Sequence, residues 1–379
     1  AGVLTKIPDV GNVCENDVVS AVLTSGTGGN STDELEYRTY TPEGWSAWTA
    51  YTSNAAISTT GLSQVEIRTR RIADFCQYSD YSTVSWTIEA TPVAAILHKM
   101  PDINNICEHE FISAYLTGGS GGNGIDELEY RTYVSGSTGW TAWAAYTPNG
   151  AISTTGLSGV EIRTRRMADY CENSDYSTVS WTIEASPVTG VLTRIPDMNN
   201  VCENDVVSAI LTAGTGGNGT DELEYRTYSA YGPGSWTSWS AYTSGNEIST
   251  SGLSGVEIRT RRMADYCQNA SYNTVSWSIE ATAWTGSLTK APDVMNVCEG
   301  EIVSATVTPG FGGNGIDESE YRVYTPDGSG SGNWSDWTVY SSGEALTTIG
   351  ITSIEIRTHR TATYCPSSPY TTVSWNIEQ

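Results

Sequence analysis

An all-β chain of four tandem β-sandwiches, strung into an extended rod, is what the sequence predicts. Three observations carry this. Whole phrases return at steps of 93, 95 and 96 residues, timed by Cys14, Cys107, Cys202 and Cys298. Each interval holds seven short runs of alternating character, and none keeps a helical period over a useful length. Turn residues separate the runs. The repeats fall at 1–91, 92–186, 187–282 and 283–379, and a unit of that size can bury a core of its own, unlike a short solenoid repeat.

In the first copy the runs read LTKIP, VVSAVLT, ELEYRTY, WSAWTAY, AISTT, VEIRTRR and STVSWTIE. Seven strands in such a length match an immunoglobulin-like sandwich, so they are lettered A, B, C, C′, E, F and G. A and B are bounded by turn residues, and the glycine-rich stretch after B leads into acidic strand C rather than into a lysine-bearing helix. That stretch reads as a B–C turn and not as a phosphate cradle. On C, Leu35, Tyr37 and Thr39 share one face, and Glu36, Arg38 and Tyr40 the other. Between C and C′ lies a hinge of 4, 6, 7 and 9 residues in the four copies, the mark of a surface hairpin tip. On F, Val65 and Ile67 point in while Glu66, Arg68 and Arg70 point out. On G, Val84, Trp86 and Ile88 form the inner set. Neighbouring C and F therefore lay a Glu/Arg ladder over the outer sheet.

The crossing between repeats is rigid in length. Cys76 to Cys107, Cys171 to Cys202 and Cys267 to Cys298 each span 31 residues, with no Gly/Ser tether. Position 1 is in register with a repeat start, so the chain reads as a segment of a longer array whose neighbours are further repeats.

With 43 acidic against 19 basic residues the net charge is −24, which repels nucleic acid and anionic lipid. No apolar run is long enough for a spanning helix, so membrane insertion is not expected. Eight cysteines at a regular, repeating spacing point to an oxidising, extracellular compartment and to disulfides. There is no CxxC, and His98, His109 and His359 do not recur at matching positions, which argues against zinc and against a catalytic Ser/His/acid set. No enzyme is expected.

The succession ELEYRTY…GWSAWTAY…ISTTGLSQVEIRTRRIADFC resembles the tandem immunoglobulin-like or fibronectin-type-III-like repeats of large bacterial surface proteins. Within that group it is similar to the repeat region of giant adhesins on gliding and related Gram-negative bacteria. The resemblance implies a non-enzymatic stalk or filament segment of a secreted, cell-surface protein used in adhesion. Other copies in a fibre and surface glycans are the partners it suggests. The WSAW, WTAW, WTSW and WSDW phrases also resemble the Trp-Ser-x-Trp-Ser phrase of cytokine receptors and thrombospondin repeats. There tryptophans stack on arginines, and Trp45 or Trp48 over Arg38, Arg68 or Arg70 would gain about 0.5–2 kcal/mol.

Three candidate sites follow. The alternative function, a carbohydrate-binding adhesin module, would use the paired tryptophans with Tyr51, Tyr146, Tyr242 or Tyr340 as platforms. Against it, one tryptophan packs inward and the other caps arginines. Calcium at the junctions is the only cofactor expected, held by Glu15 and Asp17, with Asp9, at one pole. Asp126, Glu127, Asp169 and Asp175, with Glu172, face them from the next repeat. Otherwise these carboxylates serve solubility. The third site is the cysteine set. In seven-strand order, Cys14 lies at the A–B pole and Cys76 at the F–G pole, too far apart for a bond that needs Cα atoms within about 7 Å. The favoured pairs therefore cross between repeats: Cys14–Cys171, Cys107–Cys267 and Cys202–Cys365, with Cys76 and Cys298 left for further repeats. Pairing of Cys14 with Cys76, and its counterparts, is the alternative with shorter loops.

Overall fold

The structure, a computed structural model, describes residues 1–230, 234–327 and 331–379. The hinges of the third and fourth copies run through 231–233 and 328–330, which lie outside the described residues. Among the described residues every regular element is a strand, and no helix is long and apolar enough to cross a membrane. The chain divides into two compact units, Ala1–Ser186 and Pro187–Gln379. Each unit contains two immunoglobulin-like sandwiches, and each sandwich has its own apolar core.

The first repeat shows the construction. One sheet orders β1 (Val3–Ile7), β3 (Val18–Thr24) and β7 (Ile57–Ser58). The other runs β2 (Asn12–Cys14), β9 (Ser82–Glu89), β8 (Gln64–Arg71), β4 (Asp33–Thr41) and β5 (Gly44–Trp45), with β6 (Thr49–Ala50) also on β4. Strands B, C, F and G of the sequence are β3, β4, β8 and β9. Three expectations change. Strand A divides: β1 pairs antiparallel with β3, and after Pro8 the chain switches sheets so that β2 runs parallel to β9. Strand E shortens to two residues. Strand C′ breaks in two, because Ser46 closes the rung itself. Its amide donates to the Thr39 carbonyl at 2.9 Å and its hydroxyl accepts the Thr39 amide at 3.1 Å, leaving Trp48 between the pieces.

The core follows the period-two faces. Val65 and Ile67 of β8 are fully buried and pack with Val19, Ala21, Trp86 and Ile88. Trp86 keeps its polar atom satisfied by donating Nε1–H to the Pro8 carbonyl at 3.2 Å. At the end of the same inner face comes Arg71, where period two alone would put an apolar residue. Its guanidinium meets Asp33 at 2.9 Å and donates to the Gly28 carbonyl at 2.7 Å, fixing the B–C loop against the F–G end. Arg166–Asp126, Arg262–Asp221 and Arg360–Asp317 repeat the pair. A buried ion pair of this kind is weak evidence of net stability but holds the loop in one place.

Candidate functional site

The parallel pairing of β2 with β9 sets Cys14 on the same rung as Glu89, at the tip of repeat 1. Both reach the F–G loop of repeat 2. Cys14 is disulfide-bonded to Cys171, with Cα atoms 4.8 Å apart. The Glu89 carboxylate accepts three consecutive amides, from Asp169 at 2.9 Å, Tyr170 at 2.6 Å and Cys171 at 2.7 Å. Burial works to raise the Glu89 pKa, but the three donors outweigh it and hold the carboxyl below the usual range. Glu15, one residue past the cysteine, accepts the amides of Thr91 at 2.9 Å and Gly61 at 3.0 Å, and these donors lower its pKa too.

The linker is pinned along its length. Val93 and Ser120 exchange backbone hydrogen bonds, and the Gly122 amide donates to the Ala90 carbonyl at 2.8 Å. This approach requires glycine at Gly121, where an added Cβ would lie 2.1 Å from the Thr91 carbonyl oxygen. The second unit builds the same junction. Cys202 bonds Cys365 with Cα atoms 4.8 Å apart, and Glu280 accepts the amides of Thr363, Tyr364 and Cys365 at 2.9, 2.6 and 2.7 Å. Trp284 bridges Phe311 through the backbone and stacks on its ring. Cys107 and Cys267 are each disulfide-bonded, while Cys76 and Cys298 are free and exposed.

The glutamates at the strand tips are the part of the site that sequence reasoning missed. Their signal was visible, since Glu89, Glu184, Glu280 and Glu378 close the phrases SWTIE, SWTIE, SWSIE and SWNIE. The carboxylates singled out instead are dispersed. Asp17 accepts the Cys14 amide at 3.0 Å, and Asp126 pairs with Arg166. Glu127 meets Arg165 and the Tyr176 hydroxyl, and Asp169 accepts from Asn123 at 2.9 Å. Asp9, Glu172 and Asp175 are exposed. Among the described residues no three His, Cys, Asp or Glu side chains converge where a metal ion could be held.

On the outer sheet the arginines alternate with aromatic rings. Arg38 lies over Trp45 at 4.1 Å and Trp48 at 4.5 Å, and Arg68 lies over Trp48 at 3.7 Å. Arg70 stacks on Tyr78 and Tyr81 rather than on tryptophan. Ion pairs Arg38–Glu66, Arg68–Glu36 and Arg70–Glu34 run through the ladder. Neither tryptophan packs inward; that place belongs to Trp86. The tyrosines proposed as sugar platforms are core residues: Tyr51, Tyr146, Tyr242 and Tyr340 are all buried. The Tyr51 hydroxyl accepts the Ala21 amide at 3.0 Å and donates to the Ala55 carbonyl at 2.6 Å, so it offers nothing to a ligand.

No family model matches the chain. No curated protein matches it either. Among solved structures it is similar to the ICAM-5 D1–D4 ectodomain fragment, at 9% identity and a TM-score of 0.40 over 100% of both chains. It is also similar to the N-terminal eight Ig domains of Down Syndrome Cell Adhesion Molecule, at 9% identity and 0.27, covering 97% of this chain and 56% of that one. A third likeness is to domains 1–6 of the surface layer protein SbsC, at 12% identity and 0.23, covering 97% and 53%.

Proposed function

We propose that the chain is a non-enzymatic structural segment of an extracellular surface protein, whose repeats are locked in tandem and serve adhesion. One observation carries the reading: in each unit a disulfide leaves the tip of one sandwich and closes on the next, beside a glutamate that grips the same loop. A bond of this kind persists in an oxidising compartment. The polar groups at the junction are spent on holding repeats together, and the histidines serve local contacts, such as His98 on Tyr115. The resemblance to giant bacterial adhesin repeats fits this reading. Protease shaving of intact source cells tests it. The expected product is a peptide pair still joined through Cys14 and Cys171. Recovery of that pair only after lysis, or with both thiols free, would refute it.

A second reading, glycan binding, has one observation in its favour. Beside Trp140, Tyr133, Gly159 and Glu161 in repeat 2 lies a shallow cleft of about 450 Å³, and Trp236, Tyr228, Gly255 and Glu257 form its counterpart in repeat 3. Trp140 is 37% exposed. A glycan array decides: binding abolished by Trp140→Ala would favour this reading, and no binding leaves the structural one.

A further inference from the structure

Repeat 4 departs from the other three in its core. Its strand C (Asp317–Pro326) begins DESEYR where the other copies read DELEYR, so Ser319 stands in the place of Leu35, Leu128 and Leu223. Those leucines pack on the cores of their own repeats. On strand B, Val307 likewise replaces Leu23, Leu116 and Leu211. The lost volume is a cleft of about 580 Å³, within the range of about 300–1,000 Å³ that small molecules occupy. Val307, Pro309 and Val339 give it apolar walls, and its charged lining residues, Asp317, Glu318 and Glu320, are all acidic. Ser319 turns its hydroxyl to Thr358, donating to Oγ1 at 2.9 Å, and does not refill the space.

Two of these carboxylates are committed: Asp317 meets Arg360 at 2.8 Å, and Glu320 meets Arg357 at 2.8 Å. Glu318 is held more weakly. Its counterparts Glu34, Glu127 and Glu222 pair with Arg70, Arg165 and Arg261, and each also accepts a tyrosine hydroxyl. Repeat 4 has His359 in the arginine position, 3.2 Å from Glu318, and Tyr370 stacks on that imidazole with ring centroids 4.1 Å apart. Histidine is a poorer counter-ion than arginine, which brings a permanent charge and a fork of five donors. The Glu318 side chain is 59% exposed, against 32 or 33% for the other three glutamates. A missing leucine and a missing arginine thus meet on adjacent residues of one strand.

We propose that the cleft of repeat 4 binds an ammonium group carried on an apolar stem. The stem lies against Val307, Pro309 and Val339, in the space that leucines fill elsewhere, and the ammonium pairs with Glu318. An anion would meet three carboxylates and no cation in the lining. The site uses neither the stapled junctions nor the Trp140 cleft, so it stands or falls apart from both readings of function.

Ligand-observed NMR titration of the whole chain tests this with phenethylamine, its neutral isostere phenethyl alcohol and the anion phenylacetate. Nα-acetyl-lysine methylamide stands for a lysine side chain on another protein, and the tighter of the two amines identifies the source of the ammonium. Phenethylamine should bind with a Kd of about 1 mM, ordinary for a ligand of its size, and about tenfold more tightly than the alcohol or the anion. Ser319→Leu restores the residue that the other repeats carry, so the chain should fold and binding should fall at least tenfold; Val307→Leu should act in the same direction. Glu318→Gln should bring the amine down to the level of the alcohol. No binding of either amine, or equal binding of amine and alcohol, would overturn the proposal. So would an affinity unchanged by Ser319→Leu, which would mark general attraction of a cation to a chain of charge −24, or one unchanged by Glu318→Gln.

Discussion

Replacing both Cys14 and Cys171 by serine removes the staple without leaving a lone thiol, and its effect can be sized from the chain. With the bond in place, unfolding both repeats of the first unit leaves a closed loop set by the sequence separation of 157. Loop-closure entropy makes the bond worth at most about 5 kcal/mol. Unfolding repeat 1 alone leaves a loop of about half that size, and the logarithm lowers the figure only to about 4.5 kcal/mol. The expectation therefore holds whether the repeats open singly or together. At about 1.4 kcal/mol per factor of ten, protection of the core amides should fall by up to about three decades. Hydrogen exchange with mass spectrometry on the whole chain reads this strand by strand. The amides of β8, around Val65 and Ile67, should lose that protection, while those around Ile354 and Ile356 in repeat 4 keep theirs. Protection in β8 that changes by less than about threefold would refute the reasoning.

Acid should loosen the junctions. Glu89 and Glu280 are depressed below 4.5, so the stability they add is complete above that value and is lost as pH falls through their lowered values; reduction of Cys14–Cys171 by a phosphine should speed up on going from pH 6 to pH 3. Gly121→Ala should weaken its junction more than Gly28→Ala weakens repeat 1. Both sites have positive φ, but only at Gly121 does the added carbon strike a carbonyl; equal losses in urea denaturation would contradict this. A chelator should leave the melting curve unchanged, because Glu15, Asp17, Asp126, Glu127 and Asp169 already have protein donors; a lowered Tm would show a bound cation.

Much of the architecture was legible because a half-buried sheet writes period two into the chain. Val65, Ile67, Trp86 and Ile88 face inward as their spacing dictates, and the constant crossings between cysteines reflect linkers pinned by backbone bonds. Period two failed where side chains replace backbone partners. Ser46 breaks strand C′ by supplying its own hydroxyl to the rung, and nothing in WSAWTAY separates that from a continuous strand. Arg71 occupies an inner position because Asp33 and the Gly28 carbonyl satisfy it, a partnership that only the fold reveals. The grip of Glu89 on the next repeat was hidden for a similar reason. Its acceptors and donors are some 80 residues apart in the chain, and β2 running parallel to β9 is what brings Cys14 beside it.

The placement of that staple also decides where tension would run. A pull between Ala1 and Ser186 reaches Cys14, crosses two sulfur atoms to Cys171 and continues outward, so the backbone of residues 15–170 lies outside the covalent path. The strands on that path, β1 and β2 of repeat 1 and Ser177–Glu184 of repeat 2, still load their sandwiches, but the chain between the two cysteines cannot be drawn out while the bond holds. Reduction of the single bond would put that stretch back in line. At about 3.3 Å per residue it holds on the order of 500 Å of concealed length, released only as the sandwiches unravel. Cys202–Cys365 places residues 203–364 in the same reserve.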